Sequence, residues 1–73
     1  MEREWLKQAR KKENLTQIKL GKMSGCSGAY INQLESGVRN PSVSIAQKIS
    51  KVLNLDWTFF FTNKTNKTLV RKD

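Results

Sequence analysis

Apolar residues recur every three or four positions along most of this chain, and the stretches that carry them are punctuated by glycine, asparagine and hydroxyl residues. That spacing is helical; no run alternates with the period of two that a strand needs, so the pattern predicts an all-α chain. Over residues 2–13, Trp5, Leu6 and Ala9 form an inward stripe while Arg3, Lys7, Lys11 and Lys12 take the solvent side, and Asn14 ends the helix. Thr16 is placed to cap a second helix over residues 17–24, whose inward face of Leu20, Gly21 and Ser24 is small enough for another helix to come close. Gly25 is a helix stop able to adopt positive φ, and Cys26 takes the next apolar position.

Ser27 can cap a third helix over residues 28–36, with Ile31 and Leu34 on its buried side and Gly37 at its end. After a loop at residues 38–40, Pro41 and Ser42 open a fourth helix carrying Val43, Ala46, Ile49 and Leu53 at helical spacing, flanked by Ile45 and Val52. Asp56 is placed to cap a short, almost wholly apolar fifth helix at residues 57–61. The pattern thus divides the chain into a folded part at residues 1–61 and a polar, basic tail at 62–73, expected to be loosely docked at most.

Composition narrows the function. With 73 residues there is room for one small domain. One cysteine forbids an internal disulfide, and the lack of histidine leaves no ligand cluster for a metal and little with which to assemble an acid, a base or an activated nucleophile. Neither an enzyme nor a cofactor is expected, and no small-molecule ligand is evident. The start of the chain alternates charges and no window spans a bilayer, so a cytoplasmic protein without a membrane partner is expected. Fourteen lysines and arginines against six acids, a formal net charge of +8, point to a polyanion, and composition by itself leaves DNA, RNA or an anionic membrane open.

The order of the small local features chooses among these. Capped helix, Gly25 turn, capped helix, over about residues 16–36, is a helix-turn-helix arrangement. Burying Ile31 and Leu34 holds the opposite side of the third helix proud of the domain, where a DNA major groove can admit it. That side carries Gly28, Ala29, Asn32 and Gln33, the base-reading candidates at or near the exposed face. Amides pair with adenine N6 and N7 and an alanine methyl packs on a thymine methyl, which ranks Gln33 first, then Asn32 and Ala29.

The stretches LTQIKLGKMSGCSGAYINQLESGVRNPS and IAQKISKVLNLDWTFFF also resemble the phage repressor and Cro type of helix-turn-helix domain, known as the xenobiotic-response-element type. Leu15-Thr16-Gln17, Leu20, Gly25, Ile31, Leu34-Glu35, Gly37 and Asn40-Pro41-Ser42 stand at that family's spacing. The resemblance implies a five-helix, lambda-repressor-like domain with its third helix, residues 28–36, as the recognition helix. It implies a bacterial or phage transcriptional regulator, most simply a repressor, that binds an inverted-repeat operator as a homodimer and sits on the nucleoid when bound. It also implies that Gln17 contacts a phosphate, in keeping with the anion affinity of a helix N-terminus, and that Arg10 and Glu35 form a structural ion pair.

Two departures from the family bear on mechanism. Gly28 and Ala29 replace long polar side chains, which lowers the number of base contacts and shifts weight to phosphates and DNA shape. Gly21 replaces the usual alanine, at a cost of about 1 kcal/mol in helix stability. Further backbone contacts are expected from Thr16, Ser27, Ser36, Arg39 and Asn40; Tyr30 either packs on the helix flank or reaches a phosphate with its hydroxyl. Trp57, Phe59, Phe60 and Phe61 cannot all enter one small core: Trp57 with Phe60 or Phe61 is expected to complete it, and a homodimer seam or a covering tail is expected at this segment. The competing reading is a protein-interaction or antitoxin-like module whose DNA binding is incidental.

Overall fold

The computed structural model describes residues 2–61. Its elements are α1 (Glu4–Lys12), α2 (Gln17–Ser24), α3 (Gly28–Ser36), α4 (Val43–Leu53) and a closing 3-10 helix (Trp57–Phe61). The expected tail at 62–73 lies outside the described residues. Among the described residues there is no strand, and no helix is long and apolar enough to cross a membrane.

Local chemistry sets most of the boundaries. The Thr16, Ser27 and Ser42 hydroxyls each accept from the backbone N–H three residues on, at 3.0, 3.0 and 3.2 Å, so α2, α3 and α4 all begin on a side-chain cap. Gly25 and Gly37 close α2 and α3 with φ of 80° and 84°, the left-handed conformation that a residue without Cβ adopts at no steric cost. Replacing Ser27 by alanine should therefore cost about 1 kcal/mol, read as a lower midpoint in urea with unchanged slope.

The fifth expected helix is instead the 3-10 turn. Asp56 does cap it, accepting from the Thr58 N–H at 3.1 Å, but the turn tightens to a three-residue repeat, with Phe59 N–H donating to the Asp56 carbonyl at 3.1 Å. Five residues rich in aromatics cannot meet the nucleation cost of an α-helix, and the shorter repeat is the form such fragments take.

The core is Leu6, Leu20, Ile31, Leu34, Ala46, Ile49, Leu53 and Phe60, contributed by every element. α2 and α3 share the most extensive contact, α4 packs against α2 and the 3-10 helix, and α1 packs against α3. Trp5 bridges the first and last elements by edge contacts to Phe59 and Phe60, with ring centroids 5.8 and 5.0 Å away. Phe60, a candidate from the sequence for both the core and the dimer seam, is 6 % exposed and committed to the core, which removes it from the seam. Phe59 is occupied by Trp5, which leaves Phe61, 46 % exposed and edge-on to Trp57, as the aromatic open to a partner.

Candidate nucleic-acid interface

α3 presents an outer face without charge. Its one charged side chain, Glu35, is 4 % exposed and turned inward, whereas Ala29 and Asn32 are exposed and Gln33 is half-buried. The buried carboxylate meets Arg10 of α1: Nε donates to Oε2 at 2.5 Å and Nη2 to Oε1 at 3.3 Å. Arg10 also donates to the Leu15 carbonyl at 2.7 Å, so one guanidinium joins α1, the α1–α2 loop and α3.

From this pair a chain of hydrogen bonds runs to the surface. Gln17 Nε2 donates to Glu35 Oε1 at 3.0 Å, and Gln17 Oε1 accepts from Asn32 Nδ2 at 3.4 Å. Gln17, at the first turn of α2, is thus half-buried and tethered on both sides rather than loose in solvent. Asn32 is drawn toward α2 by its NH2 group, with its carbonyl oxygen turned away from that bond.

A second cluster lies at the C-terminal end of α3. Arg39 Nε donates to Gln33 Oε1 at 2.9 Å, and the guanidinium carbon lies 5.8 Å from the Tyr30 ring centroid. Tyr30, half-buried, does pack on the helix flank, where its ring carries Arg39. The Gln33 backbone carbonyl accepts from the Val38 and Arg39 N–H groups and from the Ser36 hydroxyl at 3.1 Å. That bond takes the Ser36 proton, so Ser36, assigned from the sequence to the DNA backbone, offers a phosphate no donor in this conformation. Thr16 and Ser27 only accept in their caps and keep their hydroxyl protons to donate.

Gly28 is placed differently from what its position on the helix suggested. A Cβ there would come 2.8 Å from Ile18 Cγ1 and 3.0 Å from Ile18 Cα, so this side of the residue faces α2. The close approach that the missing side chain permits is between helices. Ile18 itself is 68 % exposed and stands beside the start of α3, an apolar contributor to the face that the sequence reading did not single out.

Arg3 was missed as well. Its Nη1 donates to the carbonyls of Leu34 at 2.7 Å and Arg39 at 3.1 Å, its Nη2 donates to Asn40 Oδ1 at 2.5 Å, and it lies over the Phe60 ring. It fixes the loop that carries Arg39 and leaves Asn40 its NH2 group as donor, while burial lowers the guanidinium pKa from its ordinary value. No periodicity reveals this role, since the partners lie 31 to 37 positions away. On the turn, Cys26 has its thiol pKa pushed up by burial, opposed by the charge of Lys48. No cluster able to hold a metal occurs among the described residues.

The helix-turn-helix family model matches residues 6–60, which contain α2, α3 and α4 whole and most of α1 and the closing 3-10 helix. The chain belongs to this helix-turn-helix family. Within it, the match and the motif place the chain among the xenobiotic-response-element type of DNA-binding transcriptional regulators. This helix-turn-helix chain is 40 % identical over 68 residues to the "Uncharacterized HTH-type transcriptional regulator YqaF" of Bacillus subtilis (strain 168), covering 93 % of its own length and 90 % of that protein. It is 31 % identical over 62 residues to the "Uncharacterized HTH-type transcriptional regulator y4wC" of Sinorhizobium fredii (strain NBRC 101917 / NGR234), covering 85 % of its own length and 43 % of that protein. The helix-turn-helix chain therefore spans less than half of the second relative and nearly all of the first.

Proposed function

We propose that this helix-turn-helix protein is a transcriptional repressor that binds an inverted-repeat operator as a homodimer, with α3 of each copy in the major groove. The observation that carries the reading is the neutral outer face of α3, held proud by a buried Ile31, Leu34 and Glu35 on the opposite side. Base edges are read by hydrogen bonds and methyl contacts, so a reading face gains nothing from charge, and the net +8 of the whole chain supplies attraction to phosphate.

In this reading Gln33, Asn32 and Ala29 face base edges, and Gly28 contributes a bare helix start seated against Ile18. Thr16, Gln17, Ser27 and Asn40 keep hydroxyl or amide donors for phosphates, as does Arg39 through the nitrogens not bound to Gln33. Tyr30 supports Arg39. Phe61 with Trp57 is the apolar patch for the second copy, and occupancy of the operator is the regulatory event. The protein then needs no cofactor, and its working place is the nucleoid.

Selection of duplexes from a random pool tests this directly. The expected product is an inverted repeat whose half-sites are centred one helical turn apart, roughly 34 Å. Failure to enrich any sequence, together with affinity for a particular protein, would instead favour the interaction-module reading. Within the same assay, Arg39→Ala should weaken binding to all sequences and reduce the slope of log affinity against log salt by about one unit. Equal slopes for the variant and the wild type would remove Arg39 from the phosphate contacts.

A further inference from the structure

An amide side chain reads a base according to which of its ends is directed at it, because its oxygen only accepts and its nitrogen only donates. The oxygen of Gln33 is turned toward Arg39, accepting from its Nε at 2.9 Å. Arg39 is held in turn: its backbone N–H donates to the Gln33 carbonyl at 3.3 Å, its carbonyl accepts from Arg3 at 3.1 Å, and its guanidinium lies over Tyr30. A flipped amide would set NH2 against guanidinium, donor against donor. The NH2 group of Gln33 is therefore the end directed away from Arg39.

We infer that Arg39 is a positioning residue for specificity: it commits Gln33 to donating, so that the base opposite Gln33 is guanine rather than adenine. Guanine offers N7 and O6, both acceptors, to a donating group in the major groove. Adenine pairs two-fold with glutamine only when the glutamine oxygen is available to its N6 amino group. The inference rests on the proposed function, since it needs α3 in the major groove. It also couples two contacts, because the Arg39 nitrogens that remain can hold a phosphate while Nε holds Gln33. Asn32 supplies an internal control, being tied to Gln17 by its NH2 group at 3.4 Å and having no bond to Arg39.

The experiment is duplex selection in parallel with the wild type and with Gln33→Ala, Arg39→Ala and Asn32→Ala. Gln33→Ala identifies the base pair that Gln33 reads by erasing preference there, and the wild type should select guanine at it. In Arg39→Ala the adenine-to-guanine ratio at that base pair should rise about tenfold, the scale of one good base contact, while the position lost in Asn32→Ala keeps its preference. Adenine at the Gln33 position in the wild type, an unchanged guanine preference in Arg39→Ala, no position that depends on Gln33, or a loss spread evenly over all positions would each overturn the inference. In all four cases an enriched inverted repeat would leave the proposed function standing. Absence of any enriched sequence would overturn both.

Discussion

Replacing Arg10 by methionine should lower the unfolding free energy by about 3–5 kcal/mol, because it strands a buried carboxylate. Glu35 is 4 % exposed and receives two hydrogen bonds from Arg10, and after the substitution only the Gln17 amide would remain to it. A domain of 73 residues has a total stability of roughly 4–11 kcal/mol, so the loss takes a large share of it. Urea denaturation at neutral pH measures it. The pair as such need not be strongly stabilising, since well-packed apolar replacements of buried pairs are often neutral or better. The double variant Arg10→Met with Glu35→Leu should accordingly recover most of the loss. It should also release Gln17 and Asn32, whose chain of bonds begins at Glu35, and so bind DNA less well than its stability would suggest. Unchanged melting of Arg10→Met would show that the pair is not needed.

Gly21→Ala is expected to destabilise the protein by about 1–3 kcal/mol, the usual cost of overpacking a close contact. Helix propensity argues the other way, since alanine in a helix interior is favoured over glycine by about 1 kcal/mol, and alanine is what the family resemblance leads one to expect here. The packing decides the sign. A Cβ on Gly21 would lie 2.7 Å from the Cys26 carbonyl oxygen and 2.8 Å from the Ser27 carbonyl carbon and oxygen. These are backbone atoms of the turn, and they can give way only by moving the start of α3. The variant should therefore lose DNA affinity along with stability. Thermal denaturation with a binding titration tests both, and a gain of about 1 kcal/mol would show that propensity wins and that the turn yields freely.

The helix-turn-helix was legible because it is written in local chemistry. Thr16, Gly25, Ser27, Gly37 and Ser42 each act on backbone groups within a few residues of themselves, and the expected limits of α2 and α3 are the observed ones. Periodicity starts α1 at residue 2, two residues before its observed start at Glu4. Arg3 is pulled out of helical geometry by a long-range bond, its N–H donating to the Glu35 carbonyl at 2.7 Å. The aromatic segment was legible as divided, since four large rings exceed one small core, but which of Phe60 and Phe61 goes in was not. Partners far away in sequence, Trp5 and Arg3 among them, make Phe60 a core residue, while Phe61 stays outside.

The candidate interface splits in the same way. The sequence by itself determined that α3 would have a neutral outer face of Ala29, Asn32 and Gln33, because burial of Ile31 and Leu34 fixes the opposite side by helical geometry alone. Which end of each amide faces outward was decided by the tertiary structure, through Gln17 and Arg39, and so was the turning of Gly28 against Ile18. Periodicity specifies which side of a helix a residue occupies. The orientation of a polar group on that side depends on which donor or acceptor the folded chain brings to it, and that partner has no fixed distance along the sequence.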